Sequence, residues 1–540
     1  MSLSLLWNTA RYLKPVQIYG RICYHFHQVH LPSLTTPSIR LLNNTFTPPI
    51  KKKESLISPT RFRFLNQEHE FAKASDWNNP AIDKLWLYNL HYFDYLNKKN
   101  DKKENELYWQ IIERWIEENP AFAGNGWEPY PLSLRIVNWI KWLLSGNSPT
   151  KKMIDSLYLQ AWYLRRRLEF HLLGNHLFAN AKALVFAGLF FDGVEAEKWL
   201  NKGLQILAKE VPEQVLADGG HFERSPMYHA VILEDLLDLI NIVKTYNQEP
   251  PPLWFDFVER MLSWLKAMCH PDGQISFFND AALGIAPEPS EIEEYAGNLG
   301  LSAGESPREG ATELRDSGYI RLQKGDAVLI VDVGKIGPDY LPGHAHADTL
   351  SFELSLKGGR VFVNSGTSCY GNSMERLSQR GTASHNTVMI DGKDSSEVWS
   401  GFRVARRARP FALKVNEGAD DIRIACSHDG YRWLTGQPIH RRQWVLQKNE
   451  LLIKDTISGN FNEAIARFYF HPEVEITDSP PLMEGSAILS GGQRLIWKIK
   501  NGIGDIYSAA WHPEFGRSLP NKCLQLSFTG PETEIIFNWN

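Results

Sequence analysis

The 540-residue chain is poor in cysteine and has no long apolar run, and each shortage removes a class of protein. Its five cysteines, Cys23, Cys269, Cys369, Cys426 and Cys523, are scattered and odd in number. No Cys-x-x-Cys pair occurs, which argues against both a disulfide framework and a thiolate zinc site. No stretch stays apolar for the length a bilayer-spanning helix needs. At the N-terminus Asn8, Arg11 and Lys14 interrupt what would have to be the apolar core of an export signal, so a cytoplasmic location is expected, with the periplasm as the alternative. Excess positive charge is missing as well. The formal net charge is −4, and no global field recruits nucleic acid. Any attraction for a polyanion has to come from a local cluster.

What remains is an ordinary globular composition, 43% hydrophobic and 22% charged, in a chain long enough for two or three domains. Aromatic residues stand at 12%, with 18 Trp; such rings fill large cores, and their faces also stack on sugars. Residues 1–76 read as an irregular leader containing a Thr/Pro-rich run at Thr45–Pro49. Over residues 77–305 the pattern is helical. Ile232, Leu236, Leu239, Ile240 and Val243 share one helical face, and Ile136, Ile140, Leu143 and Leu144 repeat the spacing. Many helices with no strands between them suggest a bundle, a solenoid or an α/α toroid. Residues 306–540 change texture. Leu350, Phe352, Leu354 and Leu356 alternate with Ser351, Glu353 and Ser355, and turns are expected at Lys324-Gly325-Asp326, Lys357-Gly358-Gly359-Arg360 and Lys448-Asn449-Glu450. This half reads as an antiparallel β-sandwich. A helical half followed by an all-β half means segregated domains.

Four local clusters can carry chemistry. Gly174-Asn175-His176 opens a helix. Gly219–His229 contains Glu223, a Ser225-Pro226 helix start and Tyr228, whose hydroxyl lies near the packed face and needs a partner or a substrate. Gly343–Asp348 holds His344 and His346, a His-x-His pair that suits a metal ligand, an acid, or both. Ser384-His385-Asn386-Thr387-Val388 opens another strand.

In their combination and order these motifs resemble the heparinase II/III-like polysaccharide lyases, including related alginate and oligoalginate lyases. The resemblance runs from Trp86–Phe93 to about Gly459, through NGWEPYPLSLRIVNW, GNHLFANAKAL, DGGHFERSPMYH, GHAHADTLSFEL, VNSGT and SHNTV. It implies an incomplete α/α toroid followed by an antiparallel β-sandwich. The expected activity is β-elimination across a uronic acid in an acidic glycan, with no organic cofactor. Such a reaction needs the sugar carboxylate neutralised, a base for the C5 proton and an acid for the departing O4. Asn175 suits the first task as an amide donor. Tyr228 suits base, acid or both, and His176 and His344 are the alternative proton carriers. Which group takes the proton depends on the epimer at C5, and the sequence leaves that open.

Further binding residues are expected around this set. Arg135 precedes Trp139 and Trp142 by four and seven residues, a cationic–aromatic stripe on one helix, and its alternative is an outer Arg beside core tryptophans. Glu128 and Glu223 are candidates for positioning substrate. The run Phe402–Arg409 would place Arg403, Arg407 and Arg409 on one strand face, apt for carboxylates or sulfates; a charged edge strand is the alternative. The resemblance further implies a structural zinc held by two His and one Asp. His346 and His385 match the imidazoles, but Asn364 stands at the Asp position and removes one negative charge. Two other readings share this sequence. One is a glycoside hydrolase on an α/α toroid, using carboxylates among Glu128, Asp218 and Glu223. The other is a non-catalytic glycan-binding or assembly factor in surface polysaccharide production.

Overall fold

The computed structural model describes residues 3–31, 33, 35–98, 105–477 and 483–540. Where apolar residues recur at helical spacing, helices form and bury that face. Four of them, Lys84–Tyr92, Pro129–Leu144, Gly174–Phe190 and Pro226–Thr245, touch one another in sequence. The last three each carry an outer partner, Lys151–Leu164, Val194–Gln214 and Pro252–Ala267. This alternation of inner and outer helices is an incomplete α/α toroid, and its inner helices point side chains toward a shared interior. Their starts are set locally. Thr150 Oγ1 accepts from the Met153 N–H, and Ser225 Oγ accepts from the Tyr228 N–H with Pro226 in the first turn. The tryptophans Trp86, Trp115, Trp139, Trp142, Trp199 and Trp264 are all fully buried, so here the aromatic surplus builds core.

The strands after residue 309 form antiparallel sheets. A five-stranded sheet runs in sequence order from Gly310–Leu314 to Gly359–Phe362, and the expected turns at 324–326, 357–360 and 448–450 each join paired strands. An eight-stranded sheet, from Pro410–Glu417 to Glu475–Ile476, shares one apolar core with it and with a four-stranded sheet. The result is a β-sandwich.

One expectation is corrected. The leader is not irregular: it contains helices Leu3–Ala10 and Pro15–Phe26 and a small sheet formed by Leu56–Ser58, Arg61–Phe64 and Gln67–Glu70. Phe62, Phe64 and Phe71 join the toroid core, which anchors the segment. The expected strand forms as Phe352–Leu356 and is buried on both faces. His270, from the loop after Pro252–Ala267, meets Glu353 Oε2 at 2.9 Å and Ser355 Oγ at 2.8 Å. Those polar residues are the seam between toroid and sandwich.

Candidate active site

The seam opens into a cavity of about 1290 Å³ lined by the inner helices, the loop 339–344 and the segment 399–407. Asn175, His176, Glu223, Tyr228 and His344 all line it. Backbone geometry aims the first of these. Leu173 has φ 63° and ψ −156°, a region side chains disfavour, and Gly174 follows at φ 53°. A Cβ on Gly174 would lie 2.4 Å from Leu341 Cδ2 and 3.0 Å from Glu223 Oε1, so only glycine lets the two helix starts and the sandwich loop approach this closely. Arg224 likewise has φ 59° immediately before the Ser225 cap. The helices that carry Asn175 and Tyr228 therefore begin at the cavity wall just after residues with positive φ.

The central contact is between halves. The Tyr228 ring lies 3.9 Å from the His344 ring, centroid to centroid, and the Tyr228 hydroxyl meets the Tyr370 hydroxyl at 2.9 Å. Burial first, then the neighbouring Tyr370, holds the Tyr228 phenol well above its ordinary range, so it carries its proton. His344 Nδ1 is 2.8 Å from Asp280 Oδ2. With Nδ1–H donating to that carboxylate, the Nε2 lone pair is left for the cavity side. Asp280 is fully buried and also accepts from Arg376 through both of its oxygens, from His346 Nε2 at 2.8 Å and from Thr367 Oγ1 at 3.4 Å. Burial by itself would raise this carboxyl; Arg376, His344 and His346 outweigh it and hold Asp280 well below the usual carboxylate range.

On the opposite wall His176 Nδ1 is 3.1 Å from Glu169 Oε1, and its ring lies 4.4 Å from that of Tyr130. Burial would lower this imidazole, but Glu169 overrides it and raises it above the ordinary value, which favours a cation. The Asn175 side chain makes no hydrogen bond among the described residues and is free to meet a ligand. Glu223 is buried, neither of its carboxyl oxygens has a hydrogen-bond partner among the described residues, and burial raises its pKa. At the mouth, Arg21, Lys51, Lys53 and Arg403 line the opening with no ion-pair or hydrogen-bond partner for their side chains among the described residues.

Other expected residues lie elsewhere. Arg135 is fully buried: it donates to Gln160 Oε1 at 2.9 Å and to the carbonyls of His91 and Gly126, and it covers the Trp115 ring at 3.8 Å. Trp139 is core. The expected cationic–aromatic stripe thus holds helices together and does not reach the cavity, because its spacing puts it on the side facing the outer helices. Glu128 accepts from the Tyr88 hydroxyl and pairs with Lys84 at 3.0 Å. Arg407 lines the cavity but is already paired, 2.9 Å from Asp339 Oδ1, and only Arg403–Val404 of the basic run is strand. Asp218 is engaged by the N–H and hydroxyl of Ser317.

The imidazoles of His346 and His385 are 5.2 Å apart, and His385 Nδ1 is 3.3 Å from Asn364 Oδ1. His346 Nδ1, His385 Nε2 and Asn364 Nδ2 are buried without hydrogen-bond partners. The donor set is two neutral imidazoles and an amide. Among the described residues no group of three or more His, Cys, Asp or Glu has metal-holding geometry. Without an anionic ligand these residues do not fit the expected zinc. Asp280, Tyr370, Arg376 and Glu169, which contact His344, Tyr228 and His176 directly or through Asp280, went unforeseen.

Comparison with known proteins follows the same division of the chain. The family model described as "Heparinase II/III N-terminus" matches residues 84–295, and "Heparinase II/III-like, C-terminal" matches residues 306–540. The chain is 27% identical over 425 residues to the heparin-sulfate lyase of Bacteroides stercoris, covering 72% of this chain and 60% of that protein. The chain therefore spans less than two thirds of that relative's length. It is 24% identical over 504 residues to FtsZ-localized protein C of Caulobacter vibrioides, covering 86% and 83% of the two chains. A crystal structure of Heparinase III shares the fold with a TM-score of 0.70 at 19% identity, over 97% of this chain and 89% of the other.

Proposed function

Because the chain belongs to the heparinase II/III-like family, we propose that it is a polysaccharide lyase that cleaves a uronic-acid-containing glycan of the glycosaminoglycan type by β-elimination. The observation that carries this reading is the close ring pair Tyr228–His344 lining one cavity together with Asn175 and His176. A phenol that holds its proton and an imidazole with a fixed lone pair sit side by side, opposite an amide and a cation.

The chemistry follows from those states. The uronate carboxylate lies against the Asn175 amide and cationic His176, which stabilise the charge that spreads into it as C5 loses its proton. His344 Nε2 takes that proton, the electron pair forms the C4–C5 double bond, and the C4–O4 bond breaks. The Tyr228 hydroxyl gives its proton to O4, and the neighbouring imidazole returns one to Tyr228 after product leaves. No net proton is consumed. Asp280 fixes the His344 tautomer, and burial, by raising the Glu223 pKa, weakens that carboxyl's repulsion of the substrate carboxylate. The unpaired cations at the mouth favour a polyanion over a neutral glycan.

A hydrolase reading has less support. Of its candidate carboxylates Glu128, Asp218 and Glu223 only Glu223 lines the cavity, and the wall carboxylates Glu234 and Asp235 are already paired with Lys52 and Lys182, whereas inverting or retaining hydrolysis needs two. The test is wild type beside Tyr228→Phe on a panel of uronate polymers, followed by the ultraviolet absorbance of an unsaturated product end. Turnover by wild type, with a loss of about 10²–10⁴-fold in the variant and unchanged substrate binding, is expected. Binding without turnover by wild type on every polymer would leave an assembly factor as the better reading.

A further inference from the structure

The first 53 residues contain Arg11, Lys14, Arg21, Arg40, Lys51, Lys52 and Lys53 and not one Asp or Glu. In a chain with a formal net charge of −4, this is a segregated positive segment. Its two helices, Leu3–Ala10 and Pro15–Phe26, each have one face tied down. Thr9 Oγ1 accepts from Trp399 Nε1 at 3.1 Å, Gln17 donates to the Tyr340 carbonyl at 3.2 Å, and the Tyr24 ring lies 4.3 Å from His171.

The other faces are apolar and uncovered. Leu3, Leu6, Trp7 and Ala10 follow i, i+3, i+4, i+7 spacing on the first helix. Ile18, Ile22 and Phe26 follow i, i+4, i+8 on the second, on the side away from Val16, Gly20 and Tyr24, with Tyr19 alongside. Trp7 is 67% exposed, Tyr19 56% and Phe26 76%. Leu6, Ala10, Ile18 and Ile22 border the cavity mouth together with the unpaired Arg21, Lys51, Lys53 and Arg403, so both stripes and the free cations share one side of the molecule.

We propose that this N-terminal helix pair docks the protein on an anionic lipid bilayer, with the apolar stripes at the headgroup–acyl boundary and the cations against the headgroups. Aromatic and aliphatic side chains beside basic ones, without acidic residues, are what such a surface selects. A second copy of the chain is a poorer occupant, because a two-fold contact through this patch would set the same cations against each other. An acidic glycan shares the cations but gives Leu3, Ile18 and Ile22 nothing to bury against. Docking here turns the cavity mouth toward the bilayer, so the glycans it meets are those carried at that surface. The inference stands apart from the lyase chemistry.

Flotation with vesicles of phosphatidylglycerol and phosphatidylcholine, against vesicles of phosphatidylcholine alone, tests it. The full chain is expected to float with the anionic vesicles only and to be released by high salt. Trp7→Ser/Tyr19→Ser/Phe26→Ser, three exposed positions that do not line the cavity, should lower partitioning by about tenfold or more. Its circular dichroism, and its turnover of short soluble oligosaccharides where wild type has any, should be unchanged. Three outcomes would overturn the inference: no flotation with either vesicle, equal flotation of the variant, or a concentration-dependent dimer that the variant abolishes. Each is read whether or not the chain proves to be a lyase.

Discussion

Replacing Asp280 by Asn changes one atom and should disable the site from behind. The carboxylate is fully buried and gathers Arg376, His344, His346 and Thr367. Its removal leaves the Arg376 guanidinium, 0% exposed, without a counter-ion; the carbonyl of Gly401 at 3.2 Å and the rings of Tyr370 at 4.9 Å and Phe402 at 5.5 Å remain. Breaking a buried pair in this way costs about 3–5 kcal/mol. The second effect is on His344. An amide can donate to Nδ1, which would place the proton on Nε2 and remove the lone pair that faces the substrate. Loss of the correct tautomer is worth about 10²–10⁴-fold in kcat, with KM little changed because the carboxylate does not touch substrate. The assay is the initial rate of ultraviolet absorbance for Asp280→Asn, His344→Gln and the double variant, with denaturant unfolding alongside. If Asp280 acts through His344, the double variant should be no slower than His344→Gln alone. A folded Asp280→Asn protein with kcat within about threefold of wild type would refute the tautomer argument.

Glu223→Gln should retain kcat within about threefold at neutral pH, because burial favours the protonated carboxyl and the amide imitates that form. An acid with a raised folded pKa loses stability as pH climbs from its ordinary value of about 4.3 toward the folded one, so the variant should be more stable than wild type above that range. Wild-type KM should rise with pH as Glu223 ionises, and the variant's should not; parallel profiles would count against a protonated Glu223. Asn364→Asp restores a negative ligand between His346 and His385 and should retain about one zinc per chain by elemental analysis after dialysis, whereas wild type should retain none. Stoichiometric zinc in wild type would show that the amide suffices.

Much of this site was legible because its residues travel in short motifs. Asn175-His176, Ser225-Pro226 with Tyr228, and His344 are local words, and helical or strand spacing around them named the two domain types. Arg135 and Trp139 were misplaced for a physical reason: i, i+4 spacing says that two side chains share a helix face, but not whether that face meets a cavity or another helix. Asp280 was invisible because its partners lie 64 to 96 residues away and converge only in the fold. Arg376 sits on a short helix, Met374–Arg380, inside the half that reads as sandwich. The leader seemed irregular because its helices are short and keep their apolar faces outward, so no packed face announced them.

The mass balance of the reaction separates elimination from hydrolysis. An acidic polymer that the chain degrades should be digested in ¹⁸O-labelled water and the fragments weighed. β-Elimination predicts fragments that sum to the parent without added water, each new non-reducing end carrying a C4–C5 double bond and no label. Fragments heavier by one labelled water per cleavage, with saturated ends, would contradict it.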